Sequence, residues 1–283
     1  MHKMPAWKQI VTQAILLMVG FFVIIPIWGI VPLAFDGSLK SRPTEFMAFP
    51  KQFSMDAFLQ VLHHPYPSVD FNILLKNSLT VSFGAAILAV MLGASLAYAF
   101  ARFRFRGRQP GLFVLLLAAF LPLVAFMTPL YILLSLLKLR TTLLGLTIVY
   151  TAFAMPFCIW NMRSAFQAVP KEIEESAYLD GAGPFTTFAS ITFPLALPSI
   201  AVAGLIAFLM AYSEFTIGWL FVEKASTVTL AMAIYTMLQG LGGPQPWSYI
   251  GSLALIMSIP VVVVFLILQN TLLERMMFGS VKD

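Results

Sequence analysis

The run Ile10-Val-Thr-Gln-Ala-Ile-Leu-Leu-Met-Val-Gly-Phe-Phe-Val-Ile-Ile-Pro-Ile-Trp-Gly-Ile-Val-Pro-Leu-Ala-Phe35 carries no charged side chain from end to end. A helix of roughly 20 mostly apolar residues crosses the ~30 Å hydrocarbon core of a bilayer, and this run exceeds that length. It is too long for the apolar region of a cleaved signal peptide, and no small-residue cleavage site follows it. It is therefore read as a retained spanning helix.

Composition extends that reading to the whole chain. Hydrophobic residues make up 60% of the sequence and charged residues 10%, whereas a soluble domain carries about 25% charged residues. Five further apolar runs follow the first, at about Ile73–Phe100, Gly111–Leu137, Leu143–Trp160, Ser199–Val222 and Tyr249–Leu273. The expectation is an all-α membrane protein with six transmembrane helices, forming one domain over residues 1–283. The net charge of +5 does not point to nucleic acid, because the basic residues sit mainly in short segments between apolar runs. Such segments set orientation. The cluster Arg102, Arg104, Arg106 and Arg108 places the turn after the second run in the cytoplasm. Both termini and the 161–198 loop are then cytoplasmic, and the 36–71 and 223–247 loops are outside. Cys158 is the single cysteine and can form no intramolecular disulfide. Pro26, Pro32, Pro122, Pro129, Pro156 and Pro260 fall within apolar runs. Each removes a backbone donor, and Pro122 and Pro129 are expected to bend the third helix.

Most of the remaining charge lies between the fourth and fifth runs, in Val169-Pro-Lys-Glu-Ile-Glu-Glu-Ser-Ala-Tyr-Leu-Asp-Gly-Ala-Gly-Pro-Phe-Thr-Thr-Phe-Ala-Ser-Ile-Thr-Phe-Pro-Leu-Ala-Leu-Pro198. Pro170 suits a helix start. Glu172, Glu174 and Glu175 then lie where the helix dipole favours negative charge. Ile173, Ala177 and Asp180 recur at helical spacing. Gly181 and Gly183 mark a stop and turn, and Pro184 can open a second short helix that ends before Pro194. The result is a helix–turn–helix projecting into the cytoplasm, suited to docking in a cleft of a soluble partner.

On these residues the segment resembles the EAA loop of ABC importer permeases. That pattern runs Glu-Ala-Ala, three residues, Gly, nine residues, Ile, one residue, Leu-Pro. Glu175, Ser176, Ala177, Gly181, Ile191, Phe193 and Pro194 keep every spacing, with Ser176 in place of Ala and Phe193 in place of Leu. Asp180-Gly181-Ala182 matches the Asp-Gly-Ala of many carbohydrate permeases. The run Ala97–Gly107 and the tail Met277–Asp283 are similar to those of sugar-importer permeases of the MalG type, with Asp283 where that family has Gly. The resemblance implies a type I importer permease of MetI-like fold in a bacterial inner membrane. In that family this loop forms coupling helices that sit in a cleft of an ATP-binding subunit, with Glu175 and Gly181 the key contacts. The implied partners are two ATP-binding subunits, a second, non-identical permease and an extracytoplasmic sugar-binding protein. The implied cargo is a di- or oligosaccharide or a glycoside such as maltose, trehalose, sucrose or glucosylglycerol.

The chain has no Gly-x-x-x-x-Gly-Lys-[Ser/Thr] phosphate loop, so no cofactor is expected in it, and ATP and Mg would be bound by partner subunits. Glu214 lies inside the fifth apolar run beside Tyr212 and Ser213. An ionisable group within a membrane is a functional candidate, and these three are candidate substrate contacts. His63 and His64 are adjacent and point apart, which suits a solvated loop better than a metal site. An ion-coupled secondary transporter or channel is the alternative, but it calls for repeats and paired carboxylates, and Glu214 stands alone. An intramembrane enzyme would need a base or metal ligands in the helices, and no histidine lies in an apolar run.

Overall fold

The computed structural model describes residues 5–63, 65, 69–240 and 245–279. His64 and the last part of the tail, Ser280-Val-Lys-Asp283, lie outside them. In chain order the helices are α1 (Ala6–Phe35), α2 (Asp56–His63), α3 (Phe71–Arg102), α4 (Arg108–Phe120), α5 (Leu123–Leu136), α6 (Leu143–Ala168), α7 (Lys171–Leu179), α8 (Pro184–Thr187), α9 (Phe193–Leu195), α10 (Leu197–Ser213), α11 (Thr216–Phe221), α12 (Leu230–Leu238) and α13 (Trp247–Gly279). No strand occurs among the described residues beyond an isolated bridge between Asp36 and Phe53. By length and hydropathy, 4 helices can cross a bilayer, or up to 6 if each of two bent pairs is one span.

Four segments differ from the sequence-based bounds, each for a local reason. The fourth helix does not stop at Trp160 but continues to Ala168, because Asn161, Arg163, Ser164 and Gln167 are all helix-compatible and Pro170 lies beyond them. The third run is broken into α4 and α5, which meet at 101°. Pro122 disfavours the helical conformation in the residue before it, and Leu121 is accordingly extended (φ −69°, ψ 136°). The fifth run breaks at Glu214 (φ −73°, ψ 128°) without any proline. The outer loop expected at 223–247 contains a helix, α12, whose Leu230, Ala231, Met232 and Ala233 are buried. The other prolines within helices, Pro26, Pro32, Pro129, Pro156 and Pro260, do not end them.

The chain forms two compact units. One comprises the residues up to Phe71 together with Ala233–Ile259. Here α1 meets the first half of α13 at close range: a Cβ on Gly251 would lie 2.9 Å from the Ala34 nitrogen, and Ser252 Oγ donates to the Ala34 carbonyl at 3.1 Å. Asp36 closes the C-terminal end of α1. Its carboxylate accepts from the Ser38 hydroxyl (2.6 Å), the Ser38 amide (2.9 Å) and the Lys51 amide (2.8 Å). Burial raises the pKa of this group, but the hydrogen bonds outweigh it and hold the carboxyl below its ordinary range. Phe35 stacks on Phe53 and Phe58 beside it. Along most of its length α1 exposes large apolar side chains, among them Leu17, Met18 and Phe22.

The other unit comprises Asn72–Met232 and the chain from Pro260 on, and is built around α3, α6 and α10. Lipid is as apolar as leucine, so such helices associate through close packing of small residues rather than through a hydrophobic driving force. Ala85, Ala89, Ala94 and Ala97 of α3, Ala154 of α6, and Ala203 and Ala207 of α10 are all buried. A Cβ at Gly84 would meet the branched side chain of Thr147 at 2.9 Å, so α3 and α6 approach closely there, while one at Gly93 would meet the flexible end of Met162 at 2.8 Å, which can move aside. Polar groups complete the core. Asn77 Nδ2 donates to the carbonyls of Ser226 and Val228, each at 2.8 Å, and Ser78 Oγ accepts from the Leu230 amide at 2.8 Å. These bonds hold the segment after α11 against α3.

Candidate functional site

The segment from Lys171 to Leu195 forms a short projecting hairpin. Helix α7 ends in the arrangement that glycine makes possible. The Ala182 amide donates to the Ala177 carbonyl (2.9 Å) and the Gly181 amide to the Tyr178 carbonyl (3.1 Å), with Gly181 at φ +87°. This is a Schellman ending, and its left-handed residue is glycine because a Cβ is penalised there. The chain turns back through α8 and then, from Phe188 to Thr192, makes a π-helical turn before α9. The sequence-based expectation was a second plain helix ending before Pro194. Instead Pro194 lies in the first turn of α9, where its missing N–H is tolerated.

The two adjacent carboxylates of α7 have opposite surroundings. Glu175 is exposed, as are Ser176, Asp180 and Gly181. Glu174 is buried with Ala177 on the inner side. Its Oε1 accepts from Arg102 Nε at 2.9 Å and from Thr192 Oγ1 at 2.7 Å, while an Arg102 terminal nitrogen donates to the Val169 carbonyl at 2.8 Å. The Arg102 and Glu174 side chains are each 7% exposed. Next to this ion pair the ring of Tyr98 packs against Phe166 and Phe188, with centroids 5.6 and 4.8 Å apart. The hairpin is thus fixed to the end of α3 by one polar and one aromatic contact. Its tip is apolar and bare: Leu179 is 89% and Phe185 79% exposed.

Of the residues singled out in the sequence, Glu175, Ser176, Asp180 and Gly181 share the outer side of α7 and its turn. Ala177 faces inward, Ala182, Ile191 and Phe193 are half-buried, and Pro194 is exposed. Sequence reasoning missed Arg102, Glu174 and Thr192 as a set, and the exposed pair Leu179 and Phe185. The only signal for the first set was an arginine ending an apolar run and a glutamate beside the one chosen.

A second polar feature lies at the break between α10 and α11. The Glu214 carboxylate accepts from the amides of Ile217 (3.0 Å) and Gly218 (3.3 Å), replacing the partners that α11 lacks at its start. Glu214 also lines a cavity of roughly 270 Å³ with Leu121, Tyr150, Phe153, Met210 and Ile217. Both helix breaks, at Leu121 and at Glu214, therefore open onto one cavity. The neighbours Tyr212 and Ser213 are directed elsewhere. Tyr212 is buried and stacks on Phe208 with centroids 5.4 Å apart, and Ser213 Oγ donates to the Leu209 carbonyl at 2.7 Å. No group of metal-ligating side chains occurs among the described residues.

A spanning helix bundle with a projecting, apolar-tipped hairpin between its fourth and fifth apolar runs is the arrangement on which the family comparison bears. Residues 89–278, which include the hairpin, match the family described as binding-protein-dependent transport system inner membrane component. The chain belongs to this family. It is a multi-pass inner-membrane permease of the ABC transporter class, with no catalytic role of its own. The permease is 31% identical over 207 residues to a putative ABC transporter permease, ORF1, of Streptomyces antibioticus, covering 73% of this chain and 90% of that one. It is 27% identical to the trehalose transport system permease SugB of Mycobacterium tuberculosis, over 90% of this chain and 93% of that one. Among solved structures, a bacterial ABC transporter that imports alginate contains a chain of the same fold, with a TM-score of 0.75 and 20% identity, covering 95% of the permease and 99% of that chain.

Proposed function

We propose that the permease is the membrane-spanning subunit of an ATP-driven importer of a di- or oligosaccharide or a glycoside such as maltose, trehalose, sucrose or glucosylglycerol. Residues 1–283 act as one permease domain, with both termini in the cytoplasm. An extracytoplasmic binding protein delivers the sugar, a second, non-identical permease completes the pathway, and two ATP-binding subunits holding ATP and Mg close beneath it. The observation that carries this reading is the hairpin: an exposed carboxylate, Glu175, beside an apolar tip, held rigidly to a spanning helix. A tip of Leu179 and Phe185 is suited to an apolar cleft, and Glu175 to a cationic or amide group at its edge. Closure of the ATP-binding subunits would then move the hairpin and the spanning helices together. The sugar assignment is supported by the transport of trehalose by one relative and of alginate by a structural neighbour. Of the stretch Tyr212, Ser213 and Glu214, substrate contact is assigned to Glu214 alone, through the cavity at the helix breaks, because Tyr212 stacks on Phe208 and Ser213 bonds to its own helix. There the Glu214 carboxylate and the Tyr150 and Phe153 rings offer the carboxylate-and-aromatic surface that sugars favour.

The test is uptake of labelled trehalose and maltose, with ATP hydrolysis, by the complete complex in liposomes, comparing the native chain with Gly181→Val. The expected result is an assembled complex that has lost both uptake and binding-protein-stimulated hydrolysis. Undiminished uptake and hydrolysis would sink the coupling role given to the hairpin.

A further inference from the structure

We propose that Arg102, Glu174 and Thr192 are positioning residues for coupling: they set the rotation of α7 and tie the hairpin to the cytoplasmic end of α3, so that the two move as one piece. The inference rests on the coupling role proposed for the hairpin and adds to it the residues through which the motion passes.

The geometry supports this in three ways. First, the tie joins three separate stretches of chain. Arg102 ends α3, Glu174 is in α7, and Thr192 closes the π-helical turn. The Val169 carbonyl, the residue after α6, accepts a further bond from the same guanidinium at 2.8 Å. Second, the pair is 7% exposed on both sides, so water cannot take the place of a lost partner. Breaking a buried pair leaves an uncompensated charge, whereas an exposed pair contributes little. The contrast is at the other end of the same unit, where Arg140 pairs with Glu223, whose side chain is 62% exposed. Third, successive residues of a helix are turned by about 100°. Pinning Glu174 inward therefore aims Glu175 outward, and a turn of α7 by one residue would bring Glu175 inward and put Ser176 in its place. A rotated α7 would present the wrong side chain to the partner.

The aromatic contact of Tyr98 with Phe166 and Phe188 cannot do this alone. It holds the return half of the hairpin, after Gly183, and the Tyr98 hydroxyl lies near Tyr178 and Glu174 of α7 and near Thr192, but it carries no charge that would choose between Glu174 and Glu175. The choice falls to the ion pair, and Thr192 supplies the link between the two halves of the hairpin.

The experiment uses the intact complex, with cysteine-free partner subunits, reconstituted in liposomes. Spin labels are placed at Leu96→Cys on α3 and Glu172→Cys in the first turn of α7, both exposed and away from the apolar tip. Cys158 is buried and stays in place. The distance between the labels is measured by pulsed electron resonance without nucleotide and with ATP and vanadate. In the native chain a single narrow distance, the same in both states, is expected. In Glu174→Gln and Thr192→Val the distribution should broaden, and trehalose or maltose uptake should fall about tenfold for every ATP hydrolysed. Thr192→Ser keeps the hydroxyl and should restore the native behaviour. The paired variant R102M/E174L leaves no buried charge and so guards against simple misfolding. It should assemble but show the same broadening and loss of coupling, because apolar contacts do not fix the rotation of α7.

A native distance that changes between the two states overturns the single-piece claim. Narrow distances and native coupling in R102M/E174L or Glu174→Gln overturn the role of the ion pair. Failure of the underlying coupling role has its own signature. A separate label at Leu179→Cys that stays equally open to a water-soluble relaxing agent before and after assembly with the ATP-binding subunits means that the tip docks nowhere.

Discussion

Single residues at the hairpin and at the C-terminal end of α1 carry distinct physical loads. Gly181 sits at φ +87° with open space where a Cβ would go, so what a substitution meets is backbone strain and not a clash. Asparagine tolerates this conformation better than a β-branched residue. Gly181→Asn is expected to keep most uptake, while Gly181→Val, at a cost of about 1–2 kcal/mol, is expected to lose it; equal uptake by the two would show that the turn conformation does not matter. Asp36 gives a pH prediction. Its folded-state pKa is depressed, so the stability it adds is fully present above the ordinary carboxylate pKa of about 4. That stability is lost as pH falls through the lower folded value. Protection of the Ser38 and Lys51 amides from exchange, taken relative to the intrinsic rate at each pH, should therefore fall only at pH below about 4, and Asp36→Ala should remove it at neutral pH. Adjacent residues also show where sequence reading stops. Gly181 was legible because a stop and a left-handed turn need glycine. The inward choice of Glu174 over Glu175 was not, because it depends on an arginine 72 residues away in the chain.

Helices reveal the same division. Four of the apolar runs fall on helices that, among the described residues, are long and apolar enough to span, since length and hydropathy are local properties. The break at Leu121 was readable from Pro122. The break at Glu214 was not, because no proline marks it and the carboxylate that ends α10 is also the group that caps α11. Removing a capping side chain costs about 0.5–2 kcal/mol. Glu214→Ala should therefore fray the first turn of α11, seen as faster amide exchange at Ile217 and Gly218. Glu214→Gln keeps an acceptor and should leave that turn protected while raising the apparent KM for sugar. A Gln variant with unchanged KM would leave Glu214 a cap and nothing more. Helix α12 was missed because its nine residues are far too few for a span and lie among glycines and prolines. Only the bonds from Asn77 and Ser78 to the chain just before it and at its start reveal why the segment is ordered.

At the level of the whole chain, orientation rests on the Arg102–Arg108 cluster. A cysteine at Leu179 should react with a membrane-impermeant thiol reagent only from the cytoplasmic side, and one at Ser41 only from outside; the reverse pattern inverts the topology proposed for every loop. The π-helical turn at Phe188–Thr192 has a consequence of a different kind. Such a turn holds one residue more than the α-helix it interrupts. Excising a residue there would tighten the wide turn into a regular one and leave the helix on either side close to its present register. The same deletion in α10 would instead spin everything after it by about 100°. The π turn is therefore the one place along this stretch where the chain can give up a residue without turning the faces of the helices that follow, and lengths elsewhere in it are far less negotiable than side chains.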